Sequence, residues 1–112
     1  MFLSYGYIKC IDHNSKTKLY RWEYKIIDSE FEEIEARVAG REVDVVISSA
    51  YAVAIDIYER RGLNVATNLV RAFIWQSKKY GWSISDMVKW NKHHNPKFAK
   101  YEEQISKYLI LA

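Results

Sequence analysis

The feature that most constrains the fold is a mostly apolar run of about 14 residues, Val45 to Tyr58. A helix that is apolar on most sides is buried in a globular core, whereas a membrane span needs about 20 apolar residues. The run therefore predicts a central core helix over residues 44–61 and no membrane-spanning segment. Asp56 lies inside this run. We expect its charge to be partly buried and paired with Arg60, four residues later, or with a tyrosine hydroxyl.

A second strong pattern is the alternation of apolar and charged residues from Lys18 to Ile27. One face carries aromatic and aliphatic side chains, namely Tyr20, Trp22, Tyr24 and Ile26. This period of two is typical of a half-buried antiparallel strand. A rougher partner strand is marked by Leu3, Tyr5, Tyr7 and Ile11. Residues 12–16 are rich in turn formers, so residues 1–27 should form a β-hairpin.

Residues 28–40 fit two different structures. Ser29 and Glu32 form a capping box, and Gly40 stands where the C-cap of a helix belongs. The helical stripe between them is Phe31, Ile34 and Val38. The alternation of Ile34, Ala36 and Val38 is also typical of a third strand. Because Glu and Ala are poor strand formers, we predict a short helix and keep the strand as the alternative.

Start and stop signals divide the rest of the chain into further helices. Asn64 is a good N-cap for a helix that ends at Gly81, and Ser83 begins another that stops before Asn95. Pro96 suits the first turn of a last helix. The apolar face of that helix is Phe98, Tyr101, Ile105, Tyr108 and Ala112. The predicted fold class is α+β: an N-terminal antiparallel β-hairpin, or a three-stranded sheet, packed on a C-terminal bundle of three to five helices.

The length of 112 residues suits a single domain, with the hairpin at residues 1–27 and the helical part at residues 28–112. Cys10 is the single cysteine, so no intrachain disulfide can form, and a reducing cytoplasm fits best. The first residues lack the basic region and long apolar run of a signal peptide, which also favours a cytoplasmic protein.

The net charge of +3 is distributed unevenly along the chain. Residues 1–63 carry nine Lys or Arg and eleven Asp or Glu, a net of −2, whereas residues 64–112 carry eight and three, a net of +5. Aromatic residues are interleaved with the lysines of the second part. Phosphates attract cations and unpaired bases stack on aromatic rings, so this mixture favours DNA or RNA as a partner. The lysines concerned are Lys78, Lys79, Lys89, Lys92, Lys97 and Lys100.

Residues 77–90 read Ser-Lys-Lys-Tyr-Gly-Trp-Ser-Ile-Ser-Asp-Met-Val-Lys-Trp. This segment resembles the helix-turn-helix of transposases and phage-type repressors, in which Lys-Lys-Tyr-Gly-Val-Ser is followed by a short recognition helix ending in Trp. The resemblance implies a left-handed turn at Gly81, a second helix that enters the major groove, and a protein that is usually a homodimer. The residues that the resemblance places near DNA are Ser83, Ser85, Asp86, Lys89 and Lys92. It places Lys78 and Lys79 near phosphate.

We therefore predict a small, non-enzymatic binding or regulatory protein that contacts nucleic acid through its basic C-terminal half. The alternative is a protein-binding inhibitor or accessory factor of the kind found on phages and mobile elements. It would act through the acidic segment 28–35 or through the aromatic face of the hairpin. The residues of these two surfaces are Glu30, Glu32 and Glu33 in the first, and Tyr20, Trp22 and Tyr24 in the second.

A remote alternative is a metal-dependent nuclease. Asp12, Glu23 and Lys25 resemble the arrangement in which two carboxylates hold Mg²⁺ and a lysine positions the attacking water. Alternating charges on an ordinary exposed strand account better for these residues. Cys10 and His13 have the spacing of half a zinc site, but one short pair does not specify four convergent ligands. We predict no catalytic residues, no metal and no cofactor.

Overall fold

The computed structural model describes residues 7–26 and 32–111 and confirms an α+β fold. The strands come first: β1 (Ile8–Asn14), β2 (Leu19–Ile26) and β3 (Glu32–Ala39). The helices follow: α1 (Val43–Arg60), α2 (Val65–Tyr80), α3 (Ile84–His94) and α4 (Glu102–Leu111), with a 3₁₀ helix at Pro96–Lys100. Strands and helices pack around a shared hydrophobic core.

The sheet is antiparallel in the order β1-β2-β3, so β2 is its central strand. The side chains of β2 that the alternation placed in the core are buried or half-buried there: Tyr20, Trp22, Tyr24 and Ile26. The hairpin turn follows β1, where the Asn14 side chain accepts hydrogen bonds from the N–H groups of Lys16 and Thr17 at 2.9 and 3.1 Å. Leu3 and Tyr5 of the predicted partner strand lie outside the described residues.

The short helix predicted for residues 28–40 is wrong, because residues 32–39 form β3 and pair with β2 in continuous register. The alternating apolar residues of β3 pack on the core: Ile34, Ala36 and Val38. Long-range pairing with the central strand outweighs the weak strand propensity of Glu and Ala. Ser29, the first residue of the predicted capping box, lies outside the described residues.

Gly40 allows a close approach between chain segments and is not a helix C-cap. It lies between β3 and α1, and a Cβ atom at this position would stand 2.9 Å from Cγ2 of Val46. Because a Cβ atom is not tolerated at that distance, a side chain here would push the start of α1 away from the sheet.

The helix boundaries largely follow the predicted signals. Asn64 caps α2 by accepting a hydrogen bond from the Thr67 N–H at 2.9 Å, and α2 ends at Gly81. Pro96 does begin a helix, but this is the 3₁₀ helix, and the last α-helix begins only at Glu102. The predicted single helix after Pro96 is therefore two consecutive helices.

The apolar run predicted to be central forms α1, with Ala50 and Ala54 fully buried. The prediction that Asp56 is partly buried is wrong, since its side chain is 52% exposed. Its expected partner is confirmed: Arg60 Nε lies 3.8 Å from the carboxylate, and Lys97 Nζ lies 3.1 Å from it. Among the described residues, no helix has both the length and the apolar character that crossing a membrane requires.

Gln76 joins α1, α2 and β1 through two hydrogen bonds. The side chain is fully buried; its Oε1 accepts from the Tyr51 hydroxyl at 2.6 Å and its Nε2 donates to the Ile8 carbonyl at 3.0 Å. One turn later, the Tyr80 hydroxyl accepts from the Cys10 N–H at 3.0 Å. The Ile8 carbonyl and the Cys10 N–H lie on the side of β1 that faces away from β2. Helix α2 therefore covers the edge of the sheet at β1, whose backbone groups would otherwise be unpaired.

Tyr51→Phe should lower the free energy of unfolding by about 1–3 kcal/mol, because it leaves the buried Gln76 Oε1 without a donor. Chemical denaturation followed by circular dichroism measures the difference. Tyr108→Phe is the matched control, since Tyr108 is half-buried on α4 and its hydroxyl makes no hydrogen bond with a described residue. Its effect should stay within about 0.5 kcal/mol. Equal losses in the two variants would contradict the role assigned to Gln76.

Candidate functional site

The segment that resembles a helix-turn-helix forms the end of α2, a turn at residues 81–83, and most of α3. Gly81 has a φ of 77°, and its N–H bonds to the Ser77 carbonyl at 2.9 Å. The Ser83 hydroxyl caps α3 by accepting from the Asp86 N–H at 3.3 Å. The turn thus has the left-handed backbone expected at Gly81 and the cap expected at Ser83.

The orientation of α3 is fixed mainly by α1. The Ser48 hydroxyl donates to the Trp90 carbonyl at 2.9 Å, and the buried Asn95 amide donates to the Ser48 carbonyl at 3.3 Å. At the same end of α3, His94 Nε2 lies 2.8 Å from the carboxylate of Asp44, and this hydrogen bond lowers the pKa of Asp44. These contacts hold one face of α3 against the core and leave the opposite face exposed.

Three of the predicted phosphate-binding lysines already have carboxylate partners. Lys92 Nζ lies 2.9 Å from Glu102, Lys97 Nζ lies 3.1 Å from Asp56, and Lys100 Nζ lies 3.4 Å from Glu59. Each of these pairs is exposed, so its free energy is small, but the carboxylate still offsets much of the local positive potential. These three lysines are therefore weaker candidates for binding phosphate than the sequence suggested.

The other three lysines are exposed and make no ion pair with any described residue. We call them the unpaired lysines: Lys78, Lys79 and Lys89. The first two lie in the last turn of α2, immediately before Tyr80, and the third lies on the exposed face of α3. These lysines thus lie on both sides of the turn at residues 81–83, with Asp86 between them in the first turn of α3.

An apolar groove, here called the α3–α4 groove, runs beside the exposed face of α3. It has a volume of about 380 Å³, and Ile110 on α4 is 83% exposed there. Its lining is Ile84, Ser85, Val88, Lys89, Lys92, Ser106, Leu109 and Ile110. The predicted DNA-facing residues Ser85 and Lys89 therefore border an apolar surface rather than an entirely polar one.

A second cavity lies between the sheet, the start of α1 and the end of α2. It has a volume of about 230 Å³ and is open to solvent on one side. We call it the aromatic cleft, and its lining is Cys10, Tyr20, Trp22, Arg41, Val43, Val46, Ile47, Tyr80 and Trp82. Two pairs of aromatic rings, one from β2 and one from the end of α2 and the turn, therefore contribute to the same cavity.

The rings of the aromatic cleft are held by neighbouring rings. Tyr80 and Trp82 stack with centroids 4.6 Å apart, and Trp75 contacts Tyr80 edge-on at 6.0 Å. On the sheet side, His13 stacks on Tyr20 at 4.0 Å. Because contacts of this kind restrict ring rotation, they hold the aromatic walls of the cleft in place.

The aromatic cleft contains few polar groups. The Arg41 side chain is exposed and makes no ion pair with a described residue. Partial burial raises the pKa of the Cys10 thiol, which lies 3.6 Å from the Asp12 carbonyl. The Trp22 indole N–H is buried and has no acceptor among the described residues. The cleft therefore offers aromatic surface and a cation at its rim.

Comparisons with models of known protein families, with curated proteins and with solved structures found no match for this chain.

The sequence did not reveal the aromatic cleft, although it drew attention to the four rings. Tyr20 and Trp22 were assigned to a docking face of the hairpin, and Tyr80 and Trp82 belong to the segment that resembles a helix-turn-helix. Trp22 and Tyr24 lie in the core, where the Tyr24 hydroxyl donates to the Ala50 carbonyl at 2.9 Å. The aromatic face of the hairpin is therefore mostly covered, with Tyr20 half-buried at its end.

The acidic residues proposed for protein binding lie partly outside the described chain. Glu30 is not among the described residues, whereas Glu32 and Glu33 belong to β3, opposite Ile26 and Lys25 of β2. The backbone of β3 therefore places Glu32 and Glu33 at the first positions of an edge strand.

The proposed nuclease residues each have other partners in the structure. Asp12 lies 3.7 Å from Arg21, and Glu23 accepts a hydrogen bond from the Tyr7 hydroxyl at 2.9 Å. Lys25 is almost fully buried and lies over the Tyr7 ring. Within the described ranges, no three His, Cys, Asp or Glu side chains are placed to hold a metal ion.

Cys10 should react slowly with iodoacetamide, because its raised pKa reduces the thiolate fraction at any given pH. The pH at which the rate is half-maximal should lie above that of an ordinary thiol, about 8.5. Measuring the rate against pH separates this effect from simple shielding, which lowers the rate without moving the midpoint. The urea-unfolded chain is the control, and identical midpoints in the two states would contradict the assigned environment.

Proposed function

We propose that this protein binds nucleic acid, DNA or RNA, without catalysing a reaction on it. The surface is formed by the end of α2, the turn at residues 81–83 and the exposed face of α3. A regulatory role in the cytoplasm belongs to the same proposal, since the thiol of Cys10 has no disulfide partner in the chain.

The contrast between the two sets of lysines carries this proposal. Lys92, Lys97 and Lys100 are neutralised by carboxylates, whereas the unpaired lysines on either side of the turn are not. Unpaired cations gain more from a phosphate, because binding one releases condensed counterions without breaking an ion pair. The aromatic rings beside Lys78 and Lys79 supply stacking surface, which a phosphate-binding patch on its own lacks.

A protein-binding role is the second candidate, and the α3–α4 groove favours it. Its exposed Ile110 and the neighbouring Leu109, Ile84 and Val88 form an apolar surface of the kind that docks another chain. Docking in this groove would not require Lys78 or Lys79, so their substitution separates the two candidates.

Lys78→Gln combined with Lys79→Gln should weaken oligonucleotide binding several-fold and reduce the slope of log K against log salt by about 2, because each lysine neutralises a phosphate. Fluorescence anisotropy of a labelled oligonucleotide, titrated at several salt concentrations, measures both quantities.

The matched control is Lys97→Gln combined with Lys100→Gln, which removes the same charge from lysines that have carboxylate partners. Its effect on affinity and slope should be clearly smaller. A salt slope near zero for the unaltered protein, or equal effects of the two double substitutions, would contradict the proposal.

A further inference from the structure

We propose that the aromatic cleft holds an unpaired nucleobase, so that the protein prefers single-stranded nucleic acid to a duplex. This inference depends on the proposed function and adds to it the chemical form of the ligand. The shared chemistry is a flat heterocycle flanked by phosphates, which single-stranded DNA and single-stranded RNA both supply.

The size of the cleft suits one base. Its volume of about 230 Å³ lies below the roughly 300–1,000 Å³ of pockets for drug-sized ligands. It therefore suits a single ring system better than a whole nucleotide or an extended chain. Tyr20 comes from the sheet and Tyr80 and Trp82 from the end of α2 and the turn, and all three rings are partly exposed, so stacking surface is offered from two sides. Trp22 is 1% exposed and supports the wall of the cleft from the core.

The charge around the cleft selects a base over an uncharged aromatic group. Arg41 is part of the lining, so a cation lies beside the cavity on the α1 side. Lys78 and Lys79 belong to the same last turn of α2 as Tyr80 but are not part of the lining. None of these three side chains has an ion-pair partner among the described residues. A base enters with a phosphate on either side, whereas an aromatic side chain of a protein brings no such charge.

The lining also favours binding with little sequence preference. It is mostly aromatic and aliphatic, and Arg41 is its one charged residue in the part of the chain that the structure describes. Stacking accounts for most of the free energy in such sites and tolerates any base.

The test uses oligothymidine, oligouridine and an abasic oligonucleotide, each about eight nucleotides long, together with a duplex. Affinity is measured by anisotropy and stacking by quenching of tryptophan fluorescence. Oligothymidine or oligouridine should bind more tightly than the duplex and the abasic strand and should quench the fluorescence. Comparing oligouridine with oligodeoxyuridine, which carries the same base, shows whether ribose or deoxyribose is preferred.

Trp82→Leu should weaken single-strand binding by about tenfold or more, since stacking on one ring contributes about 1–3 kcal/mol per base. Trp90→Leu is the matched control, because Trp90 is also partly buried but lies outside the cleft. Thermal unfolding verifies that both variants are folded. Arg41→Gln gives a second measure that leaves the aromatic packing intact, with Arg37→Gln, an exposed arginine of β3, as its control.

The outcomes separate this inference from the proposed function. If all strands bind with a salt slope that depends on Lys78 and Lys79, but the abasic strand binds as tightly as oligothymidine, the base inference is overturned and the proposed function stands. Equal losses for Trp82→Leu and Trp90→Leu in folded proteins overturn it as well. If no oligonucleotide binds at low salt, both are overturned, and the cleft becomes a candidate site for an aromatic side chain of a protein.

Discussion

The end of helix α2 is fastened to the free edge of strand β1, and the rest of the candidate site depends on that attachment. Gln76 and Tyr80, one helical turn apart, bond to the Ile8 carbonyl and the Cys10 N–H. These are consecutive outward positions of an edge strand, which would otherwise present unpaired backbone groups. The Tyr51 hydroxyl extends the same connection to the central helix.

The attachment explains why an aromatic cleft and unpaired cations occur together. Once Tyr80 is held against β1, the left-handed turn at Gly81 places Trp82 beside the aromatic residues of β2. The last turn of α2 carries Lys78 and Lys79, where cations are favoured by the negative end of the helix dipole. Stacking surface and positive charge are thus brought together by the same helix end.

Local signals predicted much of the fold but little of the cleft. The apolar run of α1, the alternation of β2 and the caps at Asn64, Gly81 and Ser83 are each determined by neighbouring residues. Strand β3 was mistaken for a helix, because its pairing with β2 is a long-range interaction that local propensity does not contain. The pairing of Lys97 with Asp56 spans 41 positions, and the cleft requires α2 to be docked on β1. Such contacts depend on tertiary packing and leave no periodic pattern in the sequence.

The central claim is that an unpaired base occupies the aromatic cleft, and the indole N–H signals of the tryptophans test it most directly. A two-dimensional ¹⁵N–¹H spectrum recorded during titration with oligothymidine should show the Trp22 and Trp82 indole signals shifting together with the Cys10 and Arg41 amides. The Trp90 indole signal should stay in place. Shifts confined to the α3–α4 groove, or no shifts at the cleft while the oligonucleotide is bound, would contradict the claim.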